Sequence, residues 1–140
     1  MKDVFITIKG KSGTGDGKPE TVEFATDGKM EITDGKTVLY YNEGGEIGAE
    51  GVSTVFTVNA DGSVVMERSG GMTSRLEIIP NKRNNSVYST AYGEMYIGVF
   101  GESIENLIGD SGGVLNLAYS LDQNLRPISY NEVEITVKEV

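Results

Sequence analysis

Neither cysteine nor histidine occurs in the 140 residues of this chain. Without thiols there is no disulfide, no thiolate zinc site and no catalytic cysteine. Without imidazole there is no histidine general base, and a metal would meet only oxygen ligands, the preference of Ca²⁺ or Mg²⁺. No cofactor and no metal are expected. The lack of cysteine also suits a reducing compartment.

Basic charge is scarce too: 12 Lys and Arg stand against 21 Asp and Glu, a net charge of −9. A nucleic-acid partner requires a basic footprint that displaces counterions, and "NKRNN" (81–85) offers only Lys82 and Arg83. The acidic balance equally disfavours an anionic membrane surface. No run approaches the roughly 18 apolar residues of a spanning helix. "MKDVFITIKGK" alternates polar and apolar residues where a signal peptide would be continuously apolar. The expectation is a soluble cytoplasmic protein with one domain over residues 1–140, of a size that buries roughly two thirds of its unfolded surface.

What the chain does contain is a period of two. "VFITIK" sets Val4, Ile6 and Ile8 on one face, and "EVEITVKE" sets Val133, Ile135 and Val137 against Glu132, Glu134, Thr136 and Lys138. Similar alternation recurs at 20–25, 29–33, 37–43, 52–58, 63–68, 75–79, 86–92, 94–100 and 114–121, as in strands with one buried face. "TDGK" at 26–29 and again at 33–36, with "DG" at 61–62, predicts hairpin turns, because Asp-Gly tolerates positive φ. Only "ESIENLIG" (102–109) predicts a short helix, capped by Ser103 with Ile104, Leu107 and Ile108 on one side. Closure removes exposed edges. The fold expected is therefore all-β: one antiparallel β-barrel of about eight to ten strands with one short helix.

"GDSGG" (109–113) has the spacing of a serine nucleophile loop, but a serine hydroxyl needs a base to take its proton. With no histidine, Ser111 reads as part of a link, and the protein as no enzyme. "GKS" (10–12) has Phe5 where a phosphate-binding loop needs glycine, and "GDGKP" has Pro19 where it needs Ser or Thr. "GTGDG" lacks dinucleotide-binding spacing, and "NADGS" is too short for a calcium loop. Each is turn chemistry.

In order along the chain stand "FITIKGKS", "YYNEG" (40–44), "MERSG" (66–70), "YSTAYGEM" (88–95), "LAYSL" (117–121) and "NEVEITVKE". In that order they resemble the elements of the YwiB-like family, small bacterial proteins of unknown function. The resemblance covers nearly the whole chain and implies a calycin-like (lipocalin-related) barrel in a cytoplasmic bacterial protein of Gram-positive lineage. It implies no substrate and no catalytic residues.

Alternation also singles out polar residues on inward faces. Arg68 shares a face with Val64 and Met66, Glu43 with Leu39 and Tyr41, and Tyr119 with Leu115, Leu117 and Leu121. A buried guanidinium must be paired and hydrogen-bonded. One reading is a structural ion pair of Arg68 with Glu43, with tyrosines packed on the guanidinium. The other is a ligand site in which Arg68 receives a carboxylate or phosphate and Tyr41 and Tyr119 form an apolar wall.

Two functions follow. One is a non-catalytic barrel that binds a small, partly apolar or anionic molecule. The other is an interaction scaffold with a filled interior, and "YSTAYGEMYIG" (88–98), apolar on both faces, is where a second copy would cover it as a homodimer. An acid–base enzyme using Glu43 lacks a second acid.

Overall fold

Alternating side chains leave one face of each segment apolar, and ten such segments pair edge to edge until the last meets the first. The computed structural model describes residues 1–13, 19–43, 52–69, 73–90 and 93–140. The strands are β1 (Lys2–Gly13), β2 (Glu20–Thr33), β3 (Lys36–Glu43), β4 (Val52–Val58), β5 (Val64–Ser69), β6 (Thr73–Ile78), β7 (Arg83–Thr90), β8 (Gly93–Asn106), β9 (Gly112–Gln123) and β10 (Arg126–Glu139). Each pairs antiparallel with the next, and β10 returns to β1 from Val4↔Glu139 to Gly13↔Tyr130, closing the barrel. Closure gives every strand a partner on both sides, and the ladder is thinnest between β6 and β7, where only Thr73–Arg75 pair with Val87–Ser89.

The register explains the alternation. Ile6 and Ile8 of β1 face Val137 and Ile135 of β10 on the inside, while Lys9 faces Glu134 and Lys11 faces Glu132 on the outside. Val4, Ile6, Leu39, Val64, Val99, Leu115 and Ile135 are wholly buried and belong to one core. Each such side chain stabilises the fold by roughly 1.5–3 kcal/mol.

Two local expectations are corrected. The first "TDGK" is no turn: β2 runs through it, and Gly28 sits where a Cβ would come within 2.6 Å of the Tyr40 carbonyl oxygen. The second is a true two-residue hairpin, with Asp34 at φ 53° and Gly35 at φ 77°. The expected helix over 102–109 is absent as well. Residues 102–106 complete β8, where Ser103, Ile104, Glu105 and Asn106 pair with Ala118, Leu117, Asn116 and Leu115 after a bulge at Gly101/Ser103. A one-turn helix has few internal hydrogen bonds to set against a full ladder with β9.

Candidate functional site

The "GDSGG" segment closes the β8–β9 hairpin. Gly109 and Gly112 exchange backbone hydrogen bonds of 2.9 and 3.1 Å around Asp110 and Ser111. Gly112 has φ 116°, and a Cβ there would strike the Val137 carbonyl oxygen. Turn geometry and close backbone approach therefore account for the motif. Ser111 is exposed at the tip, and Lys2 Nζ donates to the Asp110 carbonyl oxygen at 2.6 Å.

The interior tells more. Tyr41 pairs with Thr54, Thr54 with Arg68, and Arg68 with Ser74. These four residues therefore form one row across β3, β4, β5 and β6, with neighbours about 4.8 Å apart along the hydrogen-bonding direction. The next inward row is Leu39, Phe56, Met66 and Leu76, and below it lies Thr37, Val58, Val64 and Ile78. Met66, Phe56 and Leu76 are 7, 4 and 1% exposed and close the floor beneath the polar row. Tyr41 stacks on Phe56 with centroids 6.2 Å apart and meets Phe24 at 6.1 Å.

Within the polar row Thr54 is 0% and Ser74 3% exposed, and Arg68 is half-buried. The Thr54 and Ser74 hydroxyl oxygens have no hydrogen-bond partner among the described residues. Leaving a hydroxyl in that state costs roughly 1–3 kcal/mol. Arg68 lies between two of them.

Of the residues singled out from the sequence, Tyr41 and Arg68 share this row. Glu43 pairs with Val52, one inward position beyond Tyr41 on β3. Its side chain, and with it the expected Arg68–Glu43 pair, lies outside the described residues. Tyr119 is 9% exposed and packs in the core from β9, which β10, β1 and β2 separate from β3. Sequence reasoning missed Thr54 and Ser74, although both stand at inward positions of "VSTVFTV" and "TSRLEI".

The rest of the described surface is ordinary electrostatics. Lys29 holds the Asp3 carboxyl below its usual range, Ser63 does so for Asp61 through its hydroxyl and backbone N–H, and Arg83 does so for Asp122. Burial, then Glu132 and Glu102, raise the Tyr130 phenol. An outer groove of about 600 Å³ runs over β1 and β10, where Lys9 and Lys11 alternate with Glu132 and Glu134. Among the described residues no three acids cluster as a metal would require, and no helix is long and apolar enough to cross a membrane.

Comparisons with known proteins agree with this architecture. The uncharacterized β-barrel protein YwiB of Bacillus subtilis (strain 168) is 26% identical over 106 residues, 76% of this chain and 72% of the relative. The crystal structure of ywiB protein from Bacillus subtilis superposes with a TM-score of 0.85 at 22% identity, covering 99% of this chain and 92% of that one. Residues 6–135 match the family described as the domain of unknown function DUF1934, and the chain belongs to that family.

Proposed function

We propose that the protein is a non-catalytic binding module that holds a small molecule inside the barrel at the Arg68 row. The observation that carries this reading is the pair of buried hydroxyls, Thr54 Oγ1 and Ser74 Oγ, whose hydrogen-bonding capacity no described residue uses. Buried polar groups are normally satisfied. A ligand seated between them would supply the missing bonds, above an apolar floor of the kind small-molecule sites use. Absence of imidazole and thiol argues for binding rather than turnover. A barrel near this strand number either fills with side chains or keeps room for one ligand. Cytoplasmic action suits the cysteine-free sequence.

A second reading, a scaffold that works through its outer wall, draws on Met95 and Tyr96 of β8, which are 42 and 62% exposed. Tyr88 and Tyr92 of the same stretch lie outside the described side chains. Native mass spectrometry of the purified chain decides between the two. A bound molecule released on unfolding is the expected result, and a ligand-free dimer would overturn it.

A further inference from the structure

We propose that the β9–β10 hairpin tip is a self-association site, where Leu125 and Arg126 of each copy of the chain enter an acid-rimmed apolar cleft on the other. This holds whatever the barrel interior contains. Asn124 and Leu125 are the two turn residues, at φ 52° and 69°. Asp34 and Gly35 make the same kind of turn between β2 and β3, at φ 53° and 77°. Glycine suits that geometry, and a leucine there is strained. Leu125 is also 75% exposed, so packing within the chain does not offset the strain. Strain that the fold itself does not need points to a use for the side chain. The tip is held in place by the Leu125 N–H, which donates to Asp122 Oδ1 at 3.1 Å.

Beside the tip lies an open cleft of about 390 Å³, lined by Leu125, Pro127, Ile128, Tyr130 and Gly13. The register shift between Pro127 and Ser129 leaves Ile128 without a partner on β9, and such bulges re-aim a side chain. Ile128 and Tyr130 are both exposed. Gly13 stands opposite Tyr130 on β1, with open space where a Cβ would be. Acids form the rim. Glu132 follows Tyr130 at the next outward position, and Glu102 accepts from the hydroxyl of Ser120, the β9 partner of Tyr130. After burial, these two acids are what raise the Tyr130 phenol. The cleft thus suits an apolar side chain followed by a cation. The tip presents that pair: Leu125, then Arg126, which is exposed and makes no ion pair among the described residues. Knob and cleft on one patch are what a two-fold contact requires, because the same surface serves both copies. Each copy carries a net charge of −9, and Arg126 set against Glu132 and Glu102 of the other copy offsets part of the repulsion.

The test is sedimentation velocity of the full chain over a concentration series, with thermal melts at the lowest concentration. The wild type is expected to form a concentration-dependent dimer. Leu125→Gly should weaken it about tenfold or more, while the Tm of the monomer stays the same or rises, because glycine suits the turn. Arg126→Glu and Glu132→Arg should each weaken the dimer, and the double reversal should restore most of the affinity. A chain that stays monomeric at every concentration would overturn the proposal, as would a dimer indifferent to Leu125→Gly. A double reversal no better than either single variant would overturn the pairing of tip with rim.

Discussion

Arg83 of β7 and Asp122 of β9 clasp each other over the backbone of Gly98 on β8. The guanidinium donates to both carboxylate oxygens, Nε to Oδ2 at 2.9 Å and Nη2 to Oδ1 at 2.6 Å. Gly98 pairs with Asn85 on one side and with Asp122 on the other. The ion pair thus ties together two strands that are not neighbours. It fits only because position 98 has no side chain: a Cβ there would lie within 2.6 Å of Asp122 Oδ2 and clash with the guanidinium.

Gly98→Ala should therefore destabilise by about 1–3 kcal/mol, the range for overpacking. The obstacle is the ends of two side chains, so most of that loss should vanish when Asp122 is already alanine. Gly101→Ala should cost more, because its Cβ would meet the Ile79 backbone carbonyl, which cannot swing aside. Urea denaturation of the four variants checks this. Additive losses at positions 98 and 122 would show that the ion pair does not occupy that space.

The same pair sets an acid limit. Hydrogen bonding to Arg83, supported by the Leu125 N–H, holds the Asp122 carboxyl below its usual value against the opposing effect of burial. A carboxyl whose pKa is depressed by folding contributes stability that is present above its unfolded value, near 3.9. That contribution is lost as pH falls through the lower folded value. Wild-type Tm should fall below about pH 4, and Asp122→Asn should start lower at pH 7 yet fall less steeply over the acid range. Parallel curves would remove Asp122 from the acid response.

Strand content and closure were legible because apolar residues at every second position admit little else, as "EVEITVKE" and its partner "VFITIK" show. The helix over 102–109 was misread because Ile104 and Ile108 fit both periods, and only the pairing of 103–106 with β9 and the exposure of Leu107 separate them. "TDGK" at 26–29 was misread for a related reason. Local turn preference is weak beside two flanking strands, and Gly28 is required there for close approach to Tyr40 rather than for a turn. Arg68 was found from parity alone. Thr54 and Ser74 were not, since hydroxyls at inward positions are common and become informative only once neighbours in the ladder are known.

Ser111 should do no chemistry. Fluorophosphonate probes are expected not to label the protein, and Ser111→Ala should leave stability within about 0.5 kcal/mol, as for an exposed residue away from special features. Gly112→Ala should be clearly destabilising, since it imposes a side chain at φ 116° against the Val137 carbonyl. Labelling that disappears in Ser111→Ala would reveal a base other than histidine.

The last prediction concerns the stability of the polar row. If Arg68 existed to pair with Glu43 inside a filled barrel, removing either partner would strand the other charge, at about 3–5 kcal/mol. The two losses would then be strongly coupled. A binding site behaves in the opposite sense, because its groups are arranged for a ligand and not for one another. Arg68 is half-buried rather than enclosed, so water screens any pair it makes, and Arg68→Met and Glu43→Gln should each change stability by less than about 1 kcal/mol. Thr54→Val and Ser74→Ala should each stabilise, by up to about 1–3 kcal/mol, since each removes an unsatisfied hydroxyl and leaves apolar contact in its place. Thermal melts of these variants in ligand-free buffer read the difference directly. Large coupled losses at 43 and 68 would make the row a structural network. Losses at 54 and 74 would mean that their hydroxyls already have partners in the folded protein.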